Sequence, residues 1–223
     1  MRLYYHYCPG GFSNSYILGT DFSDEKPQAA SENAASEKEA QPLREAIIVD
    51  PGIMDPGLLA LIEENDYTLR GVFITHDHPH HVRGLRTIMK IYDTGVYAVN
   101  PEVMNYRTMR VMDGDIISLG PFKIEVITIP GHSADSAAYV IDRLIFSGDA
   151  LSAGLTGKTA SFYSSKTQKS ALHNKLMSLP GDYTVLPGHG PPSSLEAERR
   201  FNINLNSFEQ QKKRRHVFDL DYD

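Results

Sequence analysis

The chain has a single cysteine, Cys8, among 223 residues, so no internal disulfide can form and a reducing compartment is the natural setting. It has no apolar run near the roughly 18 residues that a membrane span requires. The N-terminal "MRLYYHYCPGG" has no apolar core of the kind that makes a signal peptide. A cytoplasmic protein without membrane partners is therefore expected. An excess of positive charge is also missing, because the formal net charge is -6. That argues against general attraction to nucleic acid or anionic lipid. The basic run "KKRR" (212–215) is answered by "DLDYD" (219–223) and reads as a solvated terminus. No repeat of fixed period is visible.

What remains is a chain that is 41% hydrophobic, enough for one globular domain spanning 1–223 with a substantial core. One stretch departs from that composition. Residues 21–44, "DFSDEKPQAASENAASEKEAQPLR", are rich in Ala, Ser and Glu and read as an inserted surface loop at the tip of a hairpin. Elsewhere, short apolar strands alternate with helical periodicity. Strands are expected at "RLYYHY", "FSNSYILGT", "EAIIVDPG", "GVFIT" and "GVYAVN", and later at "FKIEVITI", "AAYVI", "RLIFSG" and "YTVL". Helices are expected from Pro56, around Val82–Met89, over 168–178, and in "SSLEAERRFNINL" with Ser193 as N-cap and Glu196 three residues on. This mixture predicts an α/β sandwich with two sheets inside and helices outside.

The chemistry collects where strands end. His76, His78, His80 and His81 follow "GVFIT", His132 follows "VITIPG", Asp149 follows "LIFSG", and His189 follows "TVLPG". Six of the nine histidines lie in these segments, which chance placement would not give. The other three, His6, His173 and His216, lack such a context and read as ordinary. Imidazole and carboxylate are the donors that zinc and iron(II) accept, and a catalytic site keeps a position open for water. Two neighbouring ions need an anionic ligand between them, and Asp149 is the clearest carboxylate available. Metal binding lowers the pKa of water, so a metal-held hydroxide is the expected nucleophile.

The motifs "THDHPHH" (75–81), "PGHS" (130–133), "SGDA" (147–150) and "PGHGPP" (187–192) occur in one order, after "IIVDPG" (47–52). On these residues the chain resembles metallo-β-lactamase-fold hydrolases, most closely the glyoxalase II-like branch. The resemblance implies a four-layer αββα sandwich with a site at one edge. It implies a first metal on His76, His78 and His132, Asp149 as the bridge, and a second metal on His81 and His189. One or two divalent ions are expected per chain, zinc before iron or manganese. Asp50 would orient a ligand imidazole, or be a plain turn residue.

His80 stands where the family has Asp. It either ligates the second metal, turns away and leaves a weakened second site or a single metal at the first, or serves as a proton-transfer group near the leaving atom. Asp77 occupies a variable position of the motif. Lys158 sits where relatives bind a substrate carboxylate, or is a solvated loop lysine. Phe162 and Tyr163 would line a pocket or pack as lid. The expected reaction is metal-dependent hydrolysis of a small-molecule thioester, ester or lactone. The alternatives are a mononuclear-iron enzyme like the persulfide dioxygenases and a non-enzymatic metal-binding protein. The sequence ends soon after the last motif, so the helical domain that follows it in true glyoxalase II is not expected.

Overall fold

The computed structural model describes residues 1–20 and 44–207. The expected insertion, apart from Arg44, and the charged C-terminal run fall outside them. The chain opens with β1 (Arg2–Cys8) and β2 (Ser13–Gly19), paired antiparallel about the "CPGG" turn. Next come β3 (Glu45–Val49), α1 (Pro56–Glu63) and β4 (Thr68–Phe73). Pro56 occupies the first turn of α1, and Asp55 caps it by accepting from Leu58 N at 2.9 Å. α2 (Pro79–Val82) and α3 (Leu85–Ile91) follow, then β5 (Gly95–Ala98), β6 (Glu102–Val103), β7 (Tyr106–Arg107) and β8 (Met109–Arg110). The helix expected around 82–89 is thus split: Arg83 and Gly84 keep helical backbone angles, but Gly84 N–H donates to Pro51 O at 2.8 Å, while the His80 carbonyl accepts from Ser13 Oγ.

The second half brings β9 (Ile116–Leu119), β10 (Phe122–Thr128), β11 (Ala137–Ile141) and β12 (Leu144–Gly148). The hairpin β13 (Leu151–Ser152) and β14 (Leu155–Thr156) leads to α4 (Phe162–Ala171), which one π-helical turn (Leu172–Leu176) extends. α4 starts six residues before the expected helix because Ser161 caps it, accepting from Ser164 N at 3.0 Å. The chain continues through β15 (Thr184–Pro187), β16 (Ser193–Ser194) and α5 (Leu195–Phe201). The cap of α5 is Ser194 and not Ser193, with Ala197 N at 3.1 Å. Both serines pair with β15 at the sheet edge, but the hydroxyl of Ser193 donates to Glu198, at 2.7 Å, and so is not available as the cap.

The strands form two six-stranded sheets, ordered β1-β2-β3-β4-β5-β8 and β16-β15-β12-β11-β10-β9. Three apolar layers follow from that arrangement. Between the sheets lie Phe73, Phe122, Tyr139 and Phe146, with Phe73 stacked on Tyr97 at 4.7 Å between centroids. Leu58, Ile62, Leu85 and Ile88 cover the outer face of the first sheet. Leu172, Leu176 and Leu195 cover that of the second. Helix, sheet, sheet, helix is the four-layer αββα sandwich expected. β3 and β4 run parallel, as do β12 and β15, so the strands that precede the histidine and aspartate motifs end at one edge.

Candidate metal centre

β4 ends at Phe73, and two residues later Thr75 is fixed by Asp50. The Asp50 carboxylate accepts from Thr75 N at 2.8 Å and from Thr75 Oγ1 at 2.6 Å. Thr75 Oγ1 in turn lies 3.1 Å from Nδ1 of His76, leaving the Nε2 edge of that ring to face inward. Two other rings are held in the same way, by the outer nitrogen. Nδ1 of His132 donates to the Lys158 carbonyl at 2.7 Å, and Nδ1 of His189 to the Phe12 carbonyl at 2.6 Å. His81 differs: its Nδ1 lies 3.3 Å from Asp50, close enough for charge attraction, but makes no hydrogen bond. A ring nitrogen bound to an outer acceptor fixes the tautomer and frees the other for a ligand.

The inner nitrogens converge on Asp149. Its Oδ2 lies 3.7 Å from His76 Nε2, 3.5 Å from His132 Nε2 and 3.4 Å from His189 Nε2, while Oδ1 lies 3.4 Å from His81 Nε2. Nδ1 of His78 is 3.1 Å from Nε2 of His132. Ligand atoms about 2.1 Å from a tetrahedral ion stand roughly 3.4 Å apart, so these gaps have the right size. His76 Nε2, His81 Nε2 and Asp149 Oδ1 are buried with no hydrogen-bond partner, a costly state that a cation relieves. The donor set therefore fits divalent metal.

Two groups of convergent atoms share Asp149: His76, His78 and His132 on one side, His81 and His189 on the other. A third group of Asp50, His76 and His81 lies behind them.

Electrostatics follows this crowding. Burial and the neighbouring His81 push His76 down to about 3. Burial opposes charge on His81 too, but Asp149 and Asp50 on either side carry it up to about 10. Burial alone would raise Asp149, yet the field of His81, His76 and His189 holds its carboxyl well below the usual carboxylate range. The site is a negative centre inside a shell of imidazole.

His80 stands apart. It contributes no atom to the three groups, and its ring centroid is 5.7 Å from those of both His81 and His189. Its carbonyl accepts from Ser13 Oγ at 2.6 Å. The ring lines a cavity of about 470 Å³, with His132, Asp149 and His189 also on that wall. Burial, then His81 and His189, push its pKa down and favour a neutral ring.

Lys158, Ser152, Leu155, Thr156 and Gly157 also line this cavity. Lys158 thus lies at the cavity and also holds His132 through its carbonyl. Tyr163 does not line the cavity; it stands on α4 with 78% exposure, as does Phe162. Asp77 is exposed, and its N–H donates to Asp135 at 2.9 Å.

Several residues at the site carry little or no sequence signal. Ser13, Asn14 and Ser15 begin β2 and are fully buried, although they read as a plain strand. Their polar side chains on a strand between apolar neighbours were the one available clue. The walls at Ser152, Leu155 and Thr156 had none.

A two-sheet αββα sandwich with histidines and one shared carboxylate at the strand ends defines a class of metal-dependent enzymes. Residues 44–189 match the family model of the metallo-beta-lactamase superfamily, and the chain belongs to that superfamily. Hydroxyacylglutathione hydrolase of Hahella chejuensis is similar, 32% identical over 149 residues, covering 65% of this chain and 57% of its own. The chain thus spans little more than half the length of that relative. The "Probable metallo-hydrolase YqgX" of Bacillus subtilis is 29% identical over 187 residues, covering 74% of this chain and 89% of its own. The crystal structure of ETHE1 from Myxococcus xanthus superposes with a TM-score of 0.73 at 24% identity, over 91% of this chain and 84% of that one. At that identity it shows the fold alone. Among the described residues, no helix is long and apolar enough to cross a membrane.

Proposed function

We propose that the chain is a metal-dependent hydrolase of a small thioester, ester or lactone. One observation carries the reading: five inward-facing imidazole nitrogens converge about a single shared carboxylate beside an open cavity. His76, His78, His132 and Asp149 would hold one ion, and Asp149, His81 and His189 a second. Imidazole and carboxylate donors favour zinc, with iron or manganese as the competing occupants. An ion held there acidifies water and polarises a substrate carbonyl.

The chain's own residues supply the rest. Thr75, Asp50 and the carbonyls of Lys158 and Phe12 keep the ligand rings oriented, so little reorganisation is needed when substrate enters. Lys158 places a cation at the cavity wall, where an anionic group on the substrate would be received. The neutral His80 ring offers one donor or acceptor at the same cavity. Leu155 gives the cavity lining an apolar contact for substrate.

The test is to determine metal identity and stoichiometry for the full chain, then assay it on S-D-lactoylglutathione and simple thioesters. Turnover that chelation abolishes and zinc restores is expected. One iron per chain with oxygen consumption on glutathione persulfide would favour the dioxygenase alternative. Metal and activity surviving His132→Ala or Asp149→Ala would refute the assignment.

A further inference from the structure

We propose that Asn14 is a positioning residue for His189, and that the half of the metal centre His189 completes depends on it. The proposal rests on the metal-binding reading above. Asn14 is completely buried at the start of β2, in the sheet opposite to the strand that delivers His189. Its side-chain amide donates to two carbonyls, Pro187 O at 2.9 Å and Gly190 O at 2.8 Å. Its main-chain N–H donates to a third, Gly188 O at 2.8 Å. Those acceptors are residues 187, 188 and 190, so one asparagine brackets His189 on both sides.

The amide orientation is fixed by its other end. Oδ1 accepts from Tyr5 Oη at 2.8 Å, and turning the group over would aim its oxygen at two carbonyls. Tyr16 Oη adds a bond to Pro187 O at 2.7 Å. Two residues upstream, the Phe12 carbonyl takes the Nδ1 hydrogen of His189. The backbone around His189 is therefore held by Asn14 and its ring by Phe12, which leaves Nε2 aimed at Asp149.

The ligands of the other group are held elsewhere, His76 through Thr75 and His132 through Lys158. No hydrogen bond of Asn14 runs to that half. Loss of the amide should thus act on one group of ligands and spare the other, which a loss of packing would not do.

The experiment titrates metal-free full-length protein with Zn²⁺ or Co²⁺ and resolves the two affinities, alongside the thermal midpoint. The variants are Asn14→Ala, Asn14→Asp and Tyr5→Phe. Asn14→Asp keeps the shape while removing both donated hydrogens, and Tyr5 is half exposed, so Tyr5→Phe leaves the core untouched. Wild type is expected to take two ions. Both Asn14 variants should keep the first at wild-type affinity and weaken the second by roughly 10–100-fold, the usual effect of losing an outer support.

Tyr5→Phe should weaken the same ion less, and it decides the matter if the Asn14 variants do not fold. The proposal is overturned if both affinities fall together, if folded variants bind like wild type, or if wild type takes a single ion. Wild type that binds no ion overturns the metal reading as well.

Discussion

Replacing Gly188 by alanine tests whether the site is as tightly spaced as the structure indicates. A Cβ at residue 188 would meet Asp149 Oδ1 at 2.4 Å and His81 Cε1 at 2.7 Å. Both fall short of ordinary contact, the first by about 1 Å, and Asp149 cannot retreat without leaving the imidazoles that face it. Overpacking of a filled site costs about 1–3 kcal/mol. A shift near 1 Å also exceeds the roughly 0.2 Å within which metal–ligand distances hold. Because Asp149 belongs to both groups, both ions should be affected.

Gly114→Ala is the control. Its φ of +83° strains any side chain, about 1–2 kcal/mol, but nothing lies within 4 Å of the added carbon. The two variants should lose similar stability in thermal or denaturant unfolding. Only Gly188→Ala should lose metal in a stoichiometry measurement. Gly188→Ala binding both ions like wild type, or Gly114→Ala losing them, would refute the reasoning.

Glu198→Ala should loosen the cavity wall, because this buried carboxylate accepts from Gly154 N at 3.0 Å, Ser193 Oγ at 2.7 Å and Asn202 Nδ2 at 2.7 Å. A raised KM with the metal content unchanged is expected, together with a stability loss of about 2–3 kcal/mol from the unpaired donors. Phe73→Ala removes a ring that stacks on Tyr97 and meets Tyr139 edge-on at 5.0 Å, so denaturant unfolding should show a loss of about 3–5 kcal/mol.

Asp55→Ala removes the cap of α1 and should cost about 1 kcal/mol at neutral pH. Burial works against the Asp55 charge, but the Leu58 N–H and His6 hold its pKa below 3.8. Wild type should therefore keep its advantage above that value and lose it as acid carries the pH through the folded-state pKa. An advantage that is constant down to the acid transition would contradict this.

Much of the architecture was legible because it rests on local pattern. Apolar runs such as "GVFIT" and "LIFSG" marked buried strands, and the residues just past them had to emerge at an edge. That logic places His76, His132, Asp149 and His189 on one side of the molecule. It failed where a residue's role is set by something far along the chain. The bonds from Asn14 Nδ2 to Pro187 and Gly190 cross separations of 173 and 176 residues, and no spacing rule announces them. Ser193 has the chemistry of a cap, but Glu198 takes its hydroxyl and Ser194 caps the helix instead. Tyr163 has the aromatic character of a pocket wall, but Ser161 caps a helix there and Tyr163 stands exposed on it. His80 has the right residue type for a ligand, but its backbone is tied to Ser13 and its ring lies outside the converging atoms.

The seam between Asn14 and the "PGHG" turn also bears on how the protein matures. Contacts of such long range are slow to form, since the chain must close a large loop before they bring any reward. During synthesis, the strand that starts at Ser13 must wait for nearly the whole chain before its partner turn exists. Ion uptake at the His189 side would then report in time on the docking of the first sheet against the second.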